Sequence, residues 1–141
     1  MAAKADFTED EWKTMTKGVT GAGVLVSVSD PDFTDSFGEA GALAKQLVEE
    51  RRQGASELIR ELAKAHGTGF GLTTSREEVE HETLEALRSS IAILAAKAPD
   101  DEDAYRQLVL DVADAVAEAK SGVKPSETQA LDKIKQALGS T

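Results

Sequence analysis

Asp30, Asp32, Asp35 and Glu39 place four carboxylates in the ten residues DPDFTDSFGE, directly after a run rich in apolar residues and glycine. Acidic oxygens gathered in this way suit a hard divalent cation, calcium or magnesium. The order is not that of an EF-hand loop. Counted from Asp30, Thr34 is a weak ligand, Asp35 stands where the loop needs glycine, and Gly41 replaces the bidentate glutamate. A shorter turn, with Asp30 closing one helix and Glu39 opening the next, could still gather carboxylates around an ion. The same residues also make an ordinary helix junction, in which Asp32 or Asp35 caps the second helix and the others are solvated.

Other chemistry has less to build on. GTGFG, at 67–71, has glycines spaced like fragments of nucleotide loops, but it lacks a preceding strand and a GK[ST] ending, and reads as an interhelical loop. Glu78 and His81 form an E-x-x-H pair of the kind that builds di-iron sites in pairs. The second pair is missing, because Ala63 lies three residues before His66, and Glu85 stands where H-E-x-x-H needs its second histidine. There is no G-x-S-x-G motif, and His66 and His81 are the obvious acid–base groups near neutral pH. These observations predict a non-enzymatic protein, with no catalytic or cofactor-binding residues.

The elements that must position the acids are helices. Across 141 residues, 40% are hydrophobic but only 4% aromatic, and Ala, Leu and Val dominate, which favours closely packed helices over β-sandwiches. Thr8 and Glu11 form a T-x-x-E capping box, with Phe7 and Trp12 as a hydrophobic staple, so Met1–Asp6 is expected to be a disordered tail. From Trp12, a core anchor in this reading, apolar residues recur at Met15, Val19, Ala22, Leu25 or Val26, and Val28. Gly18, Gly21 and Gly23 interrupt this helix and predict a close helix neighbour or else a local break. VLVSVS, at 24–29, could pass for a strand but continues the helical pattern. Pro31 ends the first helix. A second runs from about Phe33 to Gly54 and a third from Ser56 to Gly67. A fourth, opened by Ser75–Glu78 or Thr74–Glu77, is stopped by Pro99. The acids at 100–103 open a fifth that ends near Gly122, and Pro125 opens a sixth that Gly139 terminates. The fold class is all-α: residues 7–141 form one domain of about six helices.

Net charge is −10, and the pI of about 4.6 places that charge on a strongly acidic surface. Such a surface repels nucleic acid and anionic lipid and suits cations or basic proteins. The chain has no cysteine, which excludes disulfides and thiolate zinc sites. No stretch approaches the roughly 20 apolar residues of a membrane span, and the N-terminus has no signal-peptide core. The expectation is a soluble, cytoplasmic protein, with an unidentified protein or a second copy of the chain as partner.

The two ends of the chain resemble one another. WKTMTKGVTGAGVLVSVSDPDFTDSFGEAGALAKQL and YRQLVLDVADAVAEAKSGVKPSETQALDKIKQAL each read as helix, turn, glutamate, helix, which suggests two hairpins about a pseudo-twofold axis. AEAKSGVKPSETQALDKIKQALG (117–139) and FTEDEWKTMTKGVTGAGVLVSVSDPDFTDSFGEAGAL (7–43) resemble the two helical copies of the tellurite-resistance TerB-like family. The resemblance implies an all-helical fold with pseudo-symmetric halves, acids of both halves near one another, and a link to metal-ion binding and stress-response assemblies. Asp30 and Glu39 match the acidic positions of the first copy, and Glu127 matches the glutamate of the second. Lys120 stands where the second copy has aspartate, a cation in the place of a ligand, and could pair with Asp30 or Glu39. The metal candidates are therefore Asp30, Asp32, Asp35, Glu39 and Glu127. The alternative is a structural protein-interaction module with no metal site.

Overall fold

The computed structural model of the chain describes residues 4–29, 45–50, 52, 57–64, 75–118 and 125–139. After a 3-10 turn, Lys4–Asp6, the capping box forms as predicted. The Thr8 amide donates to Glu11 Oε1 at 2.9 Å, and the Glu11 amide donates to Thr8 Oγ1 at 3.1 Å. The Phe7 and Trp12 rings close the staple at a centroid distance of 6.1 Å. Phe7 is buried, whereas Trp12 is half-buried at the margin of the core it was expected to anchor. Helix α1 (Glu9–Ser29) then runs unbroken through VLVSVS, so that stretch is helical and not a strand.

Helix α2 is seen at residues 45–50, with Leu47 buried and Val48 exposed. The short α3 (Glu57–Leu62) buries Leu58, Ile59 and Leu62. Helix α4 (Arg76–Lys97) starts at Ser75, whose side chain accepts from the Glu78 amide at 3.2 Å. Pro99 ends it and opens a 3-10 turn, Pro99–Asp101, that leads into α5 (Glu102–Ala117). Helix α6 (Pro125–Ala137) begins at its proline and ends before Gly139, whose φ of +74° is the left-handed conformation of a helix stop.

Helix α1 packs along α4 and α5 and also touches α6. The glycine face of α1 is what lets α4 and α5 approach. A Cβ at Gly18 would lie 2.5 Å from the Tyr105 hydroxyl, and one at Gly21 would lie 2.5 Å from Thr83 Oγ1. Tyr105 is fully buried and donates from its hydroxyl to the Met15 carbonyl at 2.7 Å, which fastens α5 to α1. Arg106 joins the far end of the bundle: its Nε donates to the Leu138 carbonyl at 2.7 Å, while its other nitrogens pair with Glu102 and Asp103. The structure is thus all-α, with no strand among the described residues, and no described helix is long and apolar enough to cross a membrane.

Candidate functional site

Asp30, Asp32, Asp35 and Glu39 lie outside the described residues, as does Lys120. Glu127 occupies the third position of α6, and its side chain is likewise outside them. The convergence implied by the family resemblance therefore concerns side chains beyond those described. His66 and the 67–74 loop fall outside as well. His81 is exposed on α4 and lines neither of the clefts described next. Among the described residues, no group of three or more histidine or carboxylate side chains is arranged to hold a metal ion.

What the described residues do form is an acidic cleft of about 460 Å³ between α2, α3 and α5. Its lining follows from helical periodicity. Gln46 and Glu50 lie one turn apart on α2, Gln107 and Asp111 one turn apart on α5, and each pair shares a face of its helix. Gln46 Nε2 donates to Glu50 Oε1 at 3.2 Å, and Gln107 Nε2 donates to Asp111 Oδ1 at 2.7 Å. Glu50 and Asp111 line the cleft from the two helices, and Glu49 lines it too. Ile59, Leu108 and Ala104 supply its apolar side.

This arrangement leaves a proton on Glu50 more readily than on an ordinary glutamate. Partial burial is the largest cause, and the hydrogen-bonding contact with Asp111 adds to it. The Gln46 amide opposes both, because it donates to the ionised form, and the like charge of Asp111 raises the value further. On the next turn of α5, Asp114 is also raised: desolvation is the main cause, Lys135 pulls the other way, and Glu118 and Asp111 add like charge. An acid pair with amide partners and an apolar side can take a proton or a cationic group whose stem is aliphatic.

A second cleft, of about 310 Å³, has Leu25 and Ala130 beside Arg76, Glu77, Glu80, Gln129 and Lys133. Glu80 pairs with Lys133 across α4 and α6, so opposite charges already meet there. Its chemistry is that of a helix contact.

Sequence reasoning passed over Gln46, Glu50, Gln107 and Asp111. The signal was present as Q-x-x-x-E and Q-x-x-x-D, each an i,i+4 pair, but nothing local says that the two pairs face one another. In comparisons with family models, curated proteins and solved structures, the chain matches none.

Proposed function

We propose that the chain is a non-enzymatic, TerB-like helical domain that acts as an interaction module, taking a basic side chain of a protein partner into the α2–α3–α5 cleft. The observation that carries this reading is the pair Glu50 and Asp111 in one cleft whose apolar wall is the partly exposed Ala104 over the buried Ile59 and Leu108. A lysine or arginine matches that profile, with an aliphatic stem against the wall and a cationic head between the acids. The charge of −10 would steer such a partner from a distance. The bacterial stress setting, the cytoplasmic location and the pseudo-symmetric hairpins come from the sequence and the family resemblance and form part of the same proposal. In that setting the module would respond to cations, and a hard divalent ion would sit at the Asp30–Glu39 turn with Glu127.

Calorimetric titration with a short lysine-rich peptide tests the cleft. Binding should weaken at least about tenfold in the Glu50→Gln/Asp111→Asn double variant, given the usual strength of charge-assisted contacts. A control of equal charge change, Glu9→Gln/Glu85→Gln, should bind nearly as the wild type does. Equal loss in both variants would reduce the effect to net charge and sink the site. A parallel titration with calcium reads the turn, where no heat and no thermal shift would remove the metal from the proposal.

A further inference from the structure

The chain enters α1 through a short segment that α4 holds down. After the 3-10 turn Lys4–Asp6, Phe7 goes into the core, and of residues 5–8 it alone is buried. Its ring rests against Trp12 at a centroid distance of 6.1 Å. The hold from α4 comes through Lys97, in the last turn of that helix and 86 residues from Glu11 in sequence. The Lys97 ammonium donates to Glu11 Oε1 at 2.5 Å and to the Asp6 carbonyl at 3.4 Å. It also lies 5.8 Å from the centre of the Phe7 ring. Glu11 Oε1 is the same atom that accepts the Thr8 amide. One carboxylate oxygen thus takes a donor from the incoming segment and a charged donor from α4.

A capping box holds a helix start by local bonds alone. Here a distant helix adds a second fastening, and it reaches residues ahead of the cap, Asp6 and Phe7. Chain ends open more readily than the helices they precede unless something ties them down.

We propose that residues 4–7 form a strap, with Phe7 as its plug and Lys97 as its clasp. When the Lys97 contact is lost, the strap leaves the bundle as one unit while α1, α4 and α5 stay folded. Phe7 then quits the core, and its place beside Trp12 stands open. The charge at position 97 controls the strap, because one ammonium serves the Glu11 carboxylate, the Asp6 carbonyl and the Phe7 ring together. Asp6, Phe7, Glu11 and Lys97 line no part of the acidic cleft, so the strap goes beyond the binding function proposed above and does not depend on it.

Chymotrypsin reads the strap directly. It cuts after aromatic residues and reaches the Phe7–Thr8 bond only once Phe7 has left the core. The initial rate at that bond, followed by mass spectrometry on the full chain, reports the detached population when closing outpaces cutting. The Tyr105–Arg106 bond is the reference, since Tyr105 is fully buried within α5 and is cut only through unfolding of the bundle. In the wild type, urea below the unfolding transition should speed the Tyr105–Arg106 cut and leave the Phe7–Thr8 cut nearly constant, after correction for the protease's own activity. Lys97→Met keeps the aliphatic stem and removes the charge. It should raise the Phe7–Thr8 rate about three- to tenfold, as expected of a partly exposed charge-assisted contact. Lys97→Arg should stay near the wild type. An unchanged Phe7–Thr8 rate in Lys97→Met, or an equal rise in Lys97→Arg, overturns the clasp. Equal acceleration of both cuts by urea overturns separate detachment of the strap.

Discussion

Thr83 and Gly21 show how a single atom decides the spacing of two helices. Thr83 is fully buried on α4, and its Oγ1 has no hydrogen-bond partner among the described residues. It lies where a Cβ at Gly21 would come within 2.5 Å, with Thr83 Cγ2 at 3.2 Å and Cβ at 3.3 Å. A threonine in a helix has few rotamers in which to retreat. Gly21→Ala should therefore destabilise the protein by about 1–3 kcal/mol, because the overlap outweighs the gain of about 1 kcal/mol in helix propensity. Thr83→Ala removes the two closest atoms and leaves only the 3.3 Å contact. In the double variant the alanine at 21 should cost much less than it does alone, and a chemical-denaturation double-mutant cycle measures this coupling. Strict additivity would mean that the clash is relieved by backbone movement instead. The presence of a close neighbour was legible in the sequence, since glycines on the apolar face of a helix announce one. The identity of that neighbour was not, because Gly21 and Thr83 come together only through helix packing.

At the scale of the element, the start of α1 was read most fully, and for a local reason. The residues of the capping box and the staple lie within one or two turns of each other, so spacing alone determines who meets whom. What spacing did not reveal is that Lys97, at the end of α4, also reaches this cap. Its ammonium pairs with Glu11 at 2.5 Å, approaches the Asp6 carbonyl at 3.4 Å and lies 5.8 Å from the Phe7 ring centroid. The Lys97 bond, first, and the Thr8 amide, second, hold the Glu11 carboxyl below its ordinary value. A depressed carboxylate contributes stability that is present above the unfolded value of about 4.5 and is lost as pH falls through the lower folded value. Glu11→Gln should accordingly unfold at lower temperature than the wild type at neutral pH, and the two melting curves should converge in acid. A gap that persisted unchanged below about pH 3 would assign the effect to packing rather than to charge.

For the molecule as a whole, the all-α architecture was legible because periodicity, caps and stops agree along the chain, from the Thr8 box to the left-handed Gly139. The acidic cleft was not, because Glu50 and Asp111 belong to different helices and each looks like a solvated acid on its own helix face. Together they make a local excess of negative charge within a chain of net charge −10. This sets the sign of the pH dependence against that of Glu11. Glu50 has a raised folded value, so its contribution is fully present below about 4.5 and is lost as pH rises through that raised value. Glu50→Gln removes the loss. Its melting temperature should match the wild type in acid and exceed it at neutral pH, opposite in sign to the Glu11→Gln gap. Each 1 kcal/mol of difference corresponds to about 3–5 °C for a chain of this length. Salt separates the local pair from the global field. Screening over about 10 Å at 0.1 M should raise the wild-type melting temperature at pH 7 by relieving self-repulsion, with little effect near the pI of 4.6. The half-buried Glu50–Asp111 contact is screened less, so the gap between Glu50→Gln and wild type should survive most of the added salt. If the gap instead closes in step with the salt effect on the whole chain, the acid pair is only one more part of a diffuse surface charge.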